Sequence, residues 1–160
     1  MALGRNLALV TTLSIANKAT AYATGQQIGL PVEIKNAAED SSACSTLQSF
    51  VVLDPAKTNQ PIDVVFFSQQ PASNGDGNAF NPSAADLANG LGSASVLAGN
   101  YSAFVSNSVG TAPNIRLKLK PAKTNRAQTN TSVWAVVVSR GTPNYGAPNN
   151  LQIVLGLDKD

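Results

Sequence analysis

The sequence has no histidine and only one cysteine, Cys44, among its 160 residues. It therefore lacks the side chain that most often acts as a general base near neutral pH and most often binds a transition metal. Its nine acidic residues are scattered, and Glu39-Asp40 is their only adjacent pair. These absences argue against a metal centre and against a Cys–His or Ser–His nucleophile pair. They favour a structural or binding protein over an enzyme, with no cofactor and no metal.

Long apolar runs and dense charge are also missing. No stretch is long enough to cross a membrane, and Leu7–Val10 is too short for the apolar part of a secretory signal. One cysteine cannot form an internal disulfide, so we expect synthesis in a reducing cytoplasm. Charged residues make up 12% of the chain, about half the usual ~25%, and the net charge of +2 is too small to predict nucleic-acid binding. A surface rich in amides and hydroxyls is readily buried against another subunit, which favours assembly.

Short apolar stretches rich in Val, Ile, Thr and Phe recur along the chain, separated by Asn, Ser, Pro and Gly. This pattern predicts β-strands. The predicted strands are Leu7–Ile15, Ile28–Lys35, Thr46–Leu53, Ile62–Ser68, Ser93–Leu97, Asn114–Lys120, Ser132–Ser139 and Leu151–Leu157. Eight strands with little helix predict a single all-β domain over residues 1–160, a two-sheet antiparallel sandwich of jelly-roll type.

Two of the predicted strands do not alternate between apolar and polar residues. Val64–Phe67 and Val133–Val138 are apolar throughout, as in strands that are buried on both faces. We expect a second layer or a partner subunit to cover them, and we predict Val65, Phe67 and Trp134 to be core residues.

One short helix is predicted inside an insertion between strands. Gln69–Pro82 is a long polar loop, and loops of this length in compact domains are usually functional or mobile. Ser83–Asn89 follows it with Ser83 as helix N-cap, Asp86 three residues later and Asn-Gly as a stop signal. Met1–Asn6 is expected to form an N-terminal arm.

Two weak chemical motifs have simpler explanations. Asn74–Asn78 has a faint similarity to a calcium loop, but no Glu follows Asp76 to complete the ligand set, and a flexible turn is favoured. Glu33 and Asp63 are conceivable as a glycosidase carboxylate pair, although nothing in the sequence brings them together.

The densest group of basic residues is Arg116, Lys118, Lys120, Lys123 and Arg126. The first three alternate with apolar residues within Ile115–Lys120, so they form a ridge on one face of a strand. No aromatic residues interleave with them, which disfavours a platform for single-stranded nucleic acid. A solvated outer face, or contact with an acidic protein surface, is the favoured interpretation.

Three segments carry a resemblance to known proteins. Asp54–Phe67 joins an Asp-Pro-Ala-Lys-Thr-Asn turn to an apolar strand, Val138–Tyr145 contains Ser-Arg-Gly-Thr-Pro-Asn-Tyr, and Leu151–Asp158 contains Leu-Gly-Leu-Asp. In this order, with a polar insertion between them, they resemble a family of small virion proteins of tailed bacteriophages. The similarity runs from about Ile28 onward, and Ile62 stands where Leu is common in the family.

The resemblance implies a head decoration (cement) protein that binds the outside of a phage capsid and stabilises the expanded shell. Its partners would be the major capsid protein and further copies of itself, most often as a homotrimer, with no nucleic acid and no membrane. It would be made in the host cytoplasm and located on the capsid exterior of the virion. The candidate capsid contacts are Arg5, Arg116, Lys118 and Lys120.

Two other functions are alternatives to this one. A carbohydrate- or receptor-binding β-sandwich module of a phage tail or fibre is the main alternative, but such sites usually expose aromatic residues, which are only 6% of this chain. A small hydrolase ranks third because the usual general base is missing.

Overall fold

The computed structural model describes residues 7–39, 43–122 and 131–159. The expected arm Met1–Asn6 lies outside these residues. The described residues contain ten strands, a short α-helix and a 3-10 turn at Ala98–Asn100. The strands are β1 (Leu7–Ile15), β2 (Gln27–Ile34), β3 (Ser45–Asp54), β4 (Ile62–Phe67), β5 (Gly90–Val96), β6 (Tyr101–Ala103), β7 (Ser108–Thr111), β8 (Leu117–Leu119), β9 (Val133–Ser139) and β10 (Leu151–Lys159), and the helix is α1 (Ala84–Ala88).

The strands pair as if one long hairpin had been rolled up. β1 pairs with β10, β2 with β9, β3 with β7 and β8, and β4 with β5, all antiparallel. Rolling places these pairs alternately in two sheets, ordered β1-β10-β3-β7-β6, with β8 also on β3, and β2-β9-β4-β5. This is the strand order of a jelly roll. The predicted all-β, two-sheet antiparallel sandwich with one short helix in an insertion is confirmed.

The eight predicted strands all form, with shifts of up to three residues at their ends. β6 and β7 are additional strands that the sequence analysis missed. They have three and four residues and the sequences Tyr-Ser-Ala and Ser-Val-Gly-Thr, which are too short to show the alternating pattern of a longer strand. Their pairing with β3 and with each other holds them in the sheet.

The main core lies between the two sheets. Inward-facing side chains alternate along each strand, and the largest of them are almost completely buried. They include Ile15, Ile28, Phe50, Phe66 and Leu155, each 0% exposed. Burial of such apolar surface is the dominant favourable contribution to folding.

A second, smaller apolar cluster lies on the outer face of the four-stranded sheet. Its buried members are Phe67, Val136 and Val138, and its partly buried members are Val65, Phe80 and Trp134. Phe80 comes from the insertion, and its ring meets that of Phe67 edge-on with centroids 6.3 Å apart. The chain's own insertion therefore covers the outer face of β4 and β9. Phe67 is buried as predicted, whereas Val65 and Trp134 are only partly buried.

Backbone hydrogen bonds fasten this insertion to the start of β2. Gln27 N–H donates to the carbonyl of Asn78 at 2.8 Å, and Gly77 N–H donates to the carbonyl of Gln27 at 2.9 Å. Phe80 N–H donates to the carbonyl of Gly25 at 2.9 Å. The expected long loop is therefore present, but residues 77–80 lie against the sheet as an added edge.

Helix α1 begins with the predicted capping box. Asp86 N–H donates to Ser83 Oγ, while the Asp86 carboxylate accepts from the Ser83 N–H and hydroxyl and from Ala72 N–H. The Ser83 hydroxyl is the main cause that lowers the pKa of Asp86, followed by the backbone donors Ala72 and Ser83. Asp86 thereby joins the helix start to the preceding loop.

The outer cluster makes a prediction about stability. Trp134→Ala should lower the free energy of unfolding by about 1–3 kcal/mol, because the indole is only partly buried, whereas Phe66→Ala should lower it by about 3–5 kcal/mol. Val105→Ala is the control, since Val105 is 96% exposed, and its effect should stay within about 0.5 kcal/mol. Chemical denaturation measures all three. A Trp134→Ala effect as large as that of Phe66→Ala would contradict this placement.

Candidate interaction surface

One side of the sandwich presents basic, polar and apolar groups that could bind a partner. It is formed by the edge strand β5, the β6–β7 hairpin and residues 113–120, and we call it the basic flank. β5 and β8 belong to different sheets but meet here, because the Leu117 side chain lies directly against Gly92. A Cβ at Gly92 would be 2.6 Å from Leu117 Cδ1, and Gly92 has φ +130°, so this approach requires glycine.

A groove of about 380 Å³ lies on the basic flank, between β5 and the segment that leads into β8. Ser93, Asn114 and Arg116 line it with polar groups, and Leu97 and Ile115 line it with apolar ones. Leu97 is 62% exposed. The groove is open to a partner that offers both hydrogen-bond acceptors and apolar side chains.

The predicted basic ridge is part of this flank. Arg116, Lys118 and Lys120 are exposed, whereas Leu119 is buried and Leu117 is partly buried. The predicted alternation between a basic and an apolar face is therefore confirmed. Arg5 lies outside the described residues, so the structure brings together three of the four candidate contacts.

No negative charge competes with this ridge in the nearby sequence. From Leu87 to Leu157 the chain contains no Asp and no Glu. All of β5 to β9 lie within that stretch. β5 to β9 therefore contribute only basic charges to the basic flank, and this favours contact with an acidic surface.

An apolar hairpin tip lies at one end of the basic flank. Phe104 N–H donates to the carbonyl of Asn107 at 2.8 Å and closes the turn between β6 and β7. Phe104 is 56% exposed and Val105 is 96% exposed. The sequence analysis missed this tip because β6 and β7 were not predicted. The adjacent pair Phe104-Val105 between polar residues was the signal that could have revealed it.

The carboxylates Glu33 and Asp63 do not form a pair. Both belong to the four-stranded sheet, where Glu33 lies opposite Trp134 and Asp63 lies opposite Val138. Four residues along β9 separate these positions, a distance of about 13 Å, which exceeds the spacing of glycosidase carboxylates. Asp63 instead forms an ion pair with Arg140.

Asp76 acts as a structural acceptor inside the insertion. Its Oδ1 accepts from the Tyr22 hydroxyl at 2.6 Å and from Gly29 N–H at 2.7 Å. Burial raises the pKa of Tyr22, and the hydrogen bond to Asp76 raises it further, so the phenol remains a donor at physiological pH. Within residues 7–39, 43–122 and 131–159, no group of three or more His, Cys, Asp or Glu is arranged to hold a metal ion.

No helix in the described part of the chain combines the length and the apolar character needed to cross a membrane. Comparison with known proteins finds no matching family model, no matching curated protein and no matching solved structure.

The role of Asp76 can be tested with two variants. Asp76→Ala should lower the free energy of unfolding by about 1–3 kcal/mol, because the buried Tyr22 hydroxyl and Gly29 N–H lose their acceptor. Asp76→Asn keeps an oxygen at that position, and its stability should be much closer to that of the wild type.

Thermal melts of the wild type should be insensitive to millimolar calcium or to a chelator. A calcium-dependent rise in Tm that Asp76→Asn abolishes would instead establish a calcium site.

Proposed function

We propose that the protein is a capsid decoration (cement) protein that binds the outside of a phage head through the basic flank and stabilises the expanded shell. One observation carries the proposal. One side of the β-sandwich combines the exposed residues Arg116, Lys118 and Lys120 with an open groove and an exposed apolar hairpin tip. The resemblance to small virion proteins of tailed bacteriophages supports the same assignment.

The basic residues supply recognition of an acidic capsid surface. Exposed charges steer association and select partners more than they add affinity, and salt weakens them. Arg116 can also form a directional contact, because it lines the groove and its planar guanidinium can bind a carboxylate through two hydrogen bonds. Binding should therefore be strongest at low ionic strength.

The apolar tip supplies the anchor. A few well-buried aromatic or apolar side chains usually carry most of the energy of an interface. Phe104 and Val105 are already held at the end of a paired hairpin, so little conformational entropy is lost when they insert between capsid subunits. β7 and β8 pair with the same side of β3, near its two ends, so the tip and the ridge lie about 25 Å apart along one side of the sandwich.

Stabilisation of the shell then follows from selective binding. A protein that binds only the expanded shell stabilises it by RT ln(1 + [L]/Kd) per site, about 2.7 kcal/mol at a concentration of 100 Kd. The effect accumulates over the many equivalent sites of a capsid. A copy that bridges neighbouring subunits, as in the homotrimer that the resemblance implies, gains further from multivalency.

The direct test compares binding to purified expanded capsids, unexpanded capsids and host cell envelopes. We expect binding to expanded capsids alone, together with a higher capsid melting temperature. Binding to envelopes but not to capsids would overturn the proposal and establish the tail or fibre receptor-binding alternative.

The apolar tip predicts a loss of binding without a loss of stability. Phe104→Ser/Val105→Ser should weaken capsid binding at least about tenfold, while the Tm of the free protein stays within about 2 °C. Leu87→Ser is the matched control, because Leu87 on α1 is 63% exposed and lies outside the flank. Equal affinity of the tip variant and the control would remove the tip from the interface.

The basic ridge predicts a salt-dependent effect. Arg116→Glu should weaken capsid binding at least about fivefold at low salt and reduce the dependence of affinity on salt. Lys35→Glu changes the net charge by the same amount at an exposed position on another part of the molecule, and it should have little effect. Binding titrations at several salt concentrations measure both variants. Equal losses in the two variants would indicate a net-charge effect in place of a specific contact.

A further inference from the structure

β1 is an edge strand of the six-stranded sheet and offers a second interaction surface. It pairs with β10 over all nine of its residues, from Leu7 opposite Lys159 to Ile15 opposite Leu151, without a shift of register. In the described part of the chain no strand pairs with its other edge. Alternate backbone N–H and C=O groups of β1 therefore point outwards along its whole length.

The other edge strands, β2, β5, β6 and β8, are protected against strand addition. β2 contains Pro31 and Glu33, has a register shift between Ile28 and Val32, and is bordered by residues 77–80 of the insertion. β5 is bulged beside Gly92, and β6 and β8 have only three residues each. Prolines, charges, bulges and short length are the devices by which natural sheets avoid edge-to-edge pairing. β1 has none of them.

The sequence of β1 is also its own complement. In Leu-Ala-Leu-Val-Thr-Thr-Leu-Ser-Ile, the residues at equal distances before and after Thr11 are similar in size. An antiparallel copy centred on Thr11 places Leu9 opposite Leu13 and Val10 opposite Thr12. It also places Ala8 opposite Ser14, and every pair joins residues on the same face of the sheet.

Several β1 side chains are exposed in the single chain and would be covered by a neighbouring strand. On the outer face Val10 is 72% exposed. On the inner face Leu9 and Thr11 are partly exposed, whereas Leu13 and Ile15 are buried. A neighbouring strand would cover Leu9, Val10 and Thr11. β-Branched cross-strand pairs, such as Val10 with Thr12, also stabilise a sheet.

We propose that β1 pairs antiparallel with β1 of a second copy of this chain, across a two-fold axis at Thr11, so that the two six-stranded sheets become one continuous sheet. A two-fold interface requires a surface that complements itself, and the symmetric sequence of β1 meets this requirement. The inference goes beyond the proposed function and does not depend on it, and the three-fold contact of the homotrimer that the resemblance implies would be a separate interface. β1 and β6 are at opposite ends of the sheet, so this pairing leaves the basic flank free for another partner.

Charge pairs test the register of this contact. In Val10→Lys/Thr12→Lys each lysine lies opposite a lysine of the other copy, and we expect dimerisation at least about tenfold weaker by sedimentation equilibrium. In Val10→Lys/Thr12→Glu each lysine lies opposite a glutamate, and we expect a dimer within about threefold of the wild type. Ser102→Lys/Thr111→Lys adds the same two charges at exposed positions on β6 and β7 and should dimerise like the wild type.

A disulfide test checks the two-fold axis itself. The axis brings Thr11 opposite Thr11 of the other copy, with Cα atoms about 4.5–5.5 Å apart, which is within disulfide range. In a Cys44→Ser background, Thr11→Cys should form a covalent dimer on mild oxidation. Ser14→Cys should not, since it lies opposite Ala8.

Two results would overturn the proposed pairing of β1 with a second copy. A wild-type protein that stays monomeric at about 100 μM would overturn the proposal. So would an association that all three charge variants share, because β1 would then be outside the interface. Circular dichroism melts of each variant establish that it is folded, and a difference between the two Val10→Lys variants cannot arise from misfolding at position 10.

Discussion

The fold depends on pairing between the two ends of the chain. β10 lies between β1 and β3, and β9 lies between β2 and β4, so the last strands complete sheets that the first strands cannot form alone. Until β9 and β10 are in place, the inner faces of both sheets are incomplete and the main core has no closed boundary. Such non-local antiparallel pairing makes folding slow relative to helical proteins, and it gives the finished domain a rigid frame.

Buried polar contacts hold the connections of this frame. Asp54 is 1% exposed, and its carboxylate accepts from Ala56 N–H, the Thr58 hydroxyl and Asn59 N–H. It also accepts from Ser108 on β7. One carboxylate therefore shapes the turn between β3 and β4 and joins it to the neighbouring strand. Asp76 has the same role in the insertion, where it joins residues from two other segments.

The frame leaves two kinds of surface on opposite sides. On one side, short strands and a hairpin present the basic and apolar groups of the flank. On the other side, β1 presents a long, uncharged edge. The outer face of the four-stranded sheet is unavailable to partners near Phe67 because the insertion covers it. The sandwich thus separates the surface that we assign to the capsid from the edge that we assign to a second copy.

Much of this architecture could be predicted from local patterns. Strand preference and turn residues identified eight strands, and the cap residues Ser83 and Asp86 identified the helix, because these features depend on neighbours along the chain. Alternation likewise placed Arg116, Lys118 and Lys120 on one exposed face.

Tertiary structure decided the rest. β6 and β7 are too short to be recognised from local pattern, and the exposed tip at Phe104 and Val105 depends on their pairing with β3, a strand about fifty residues earlier in the chain. Trp134 is partly buried because its face of the sheet is covered by the insertion, which no local pattern around Trp134 indicates.

The sequence by itself determined which segments are strands and which faces are apolar, since alternation and β-propensity are local. Only the folded chain determined which strand stays at an edge and which charges lie together, because both depend on contacts between residues far apart in sequence.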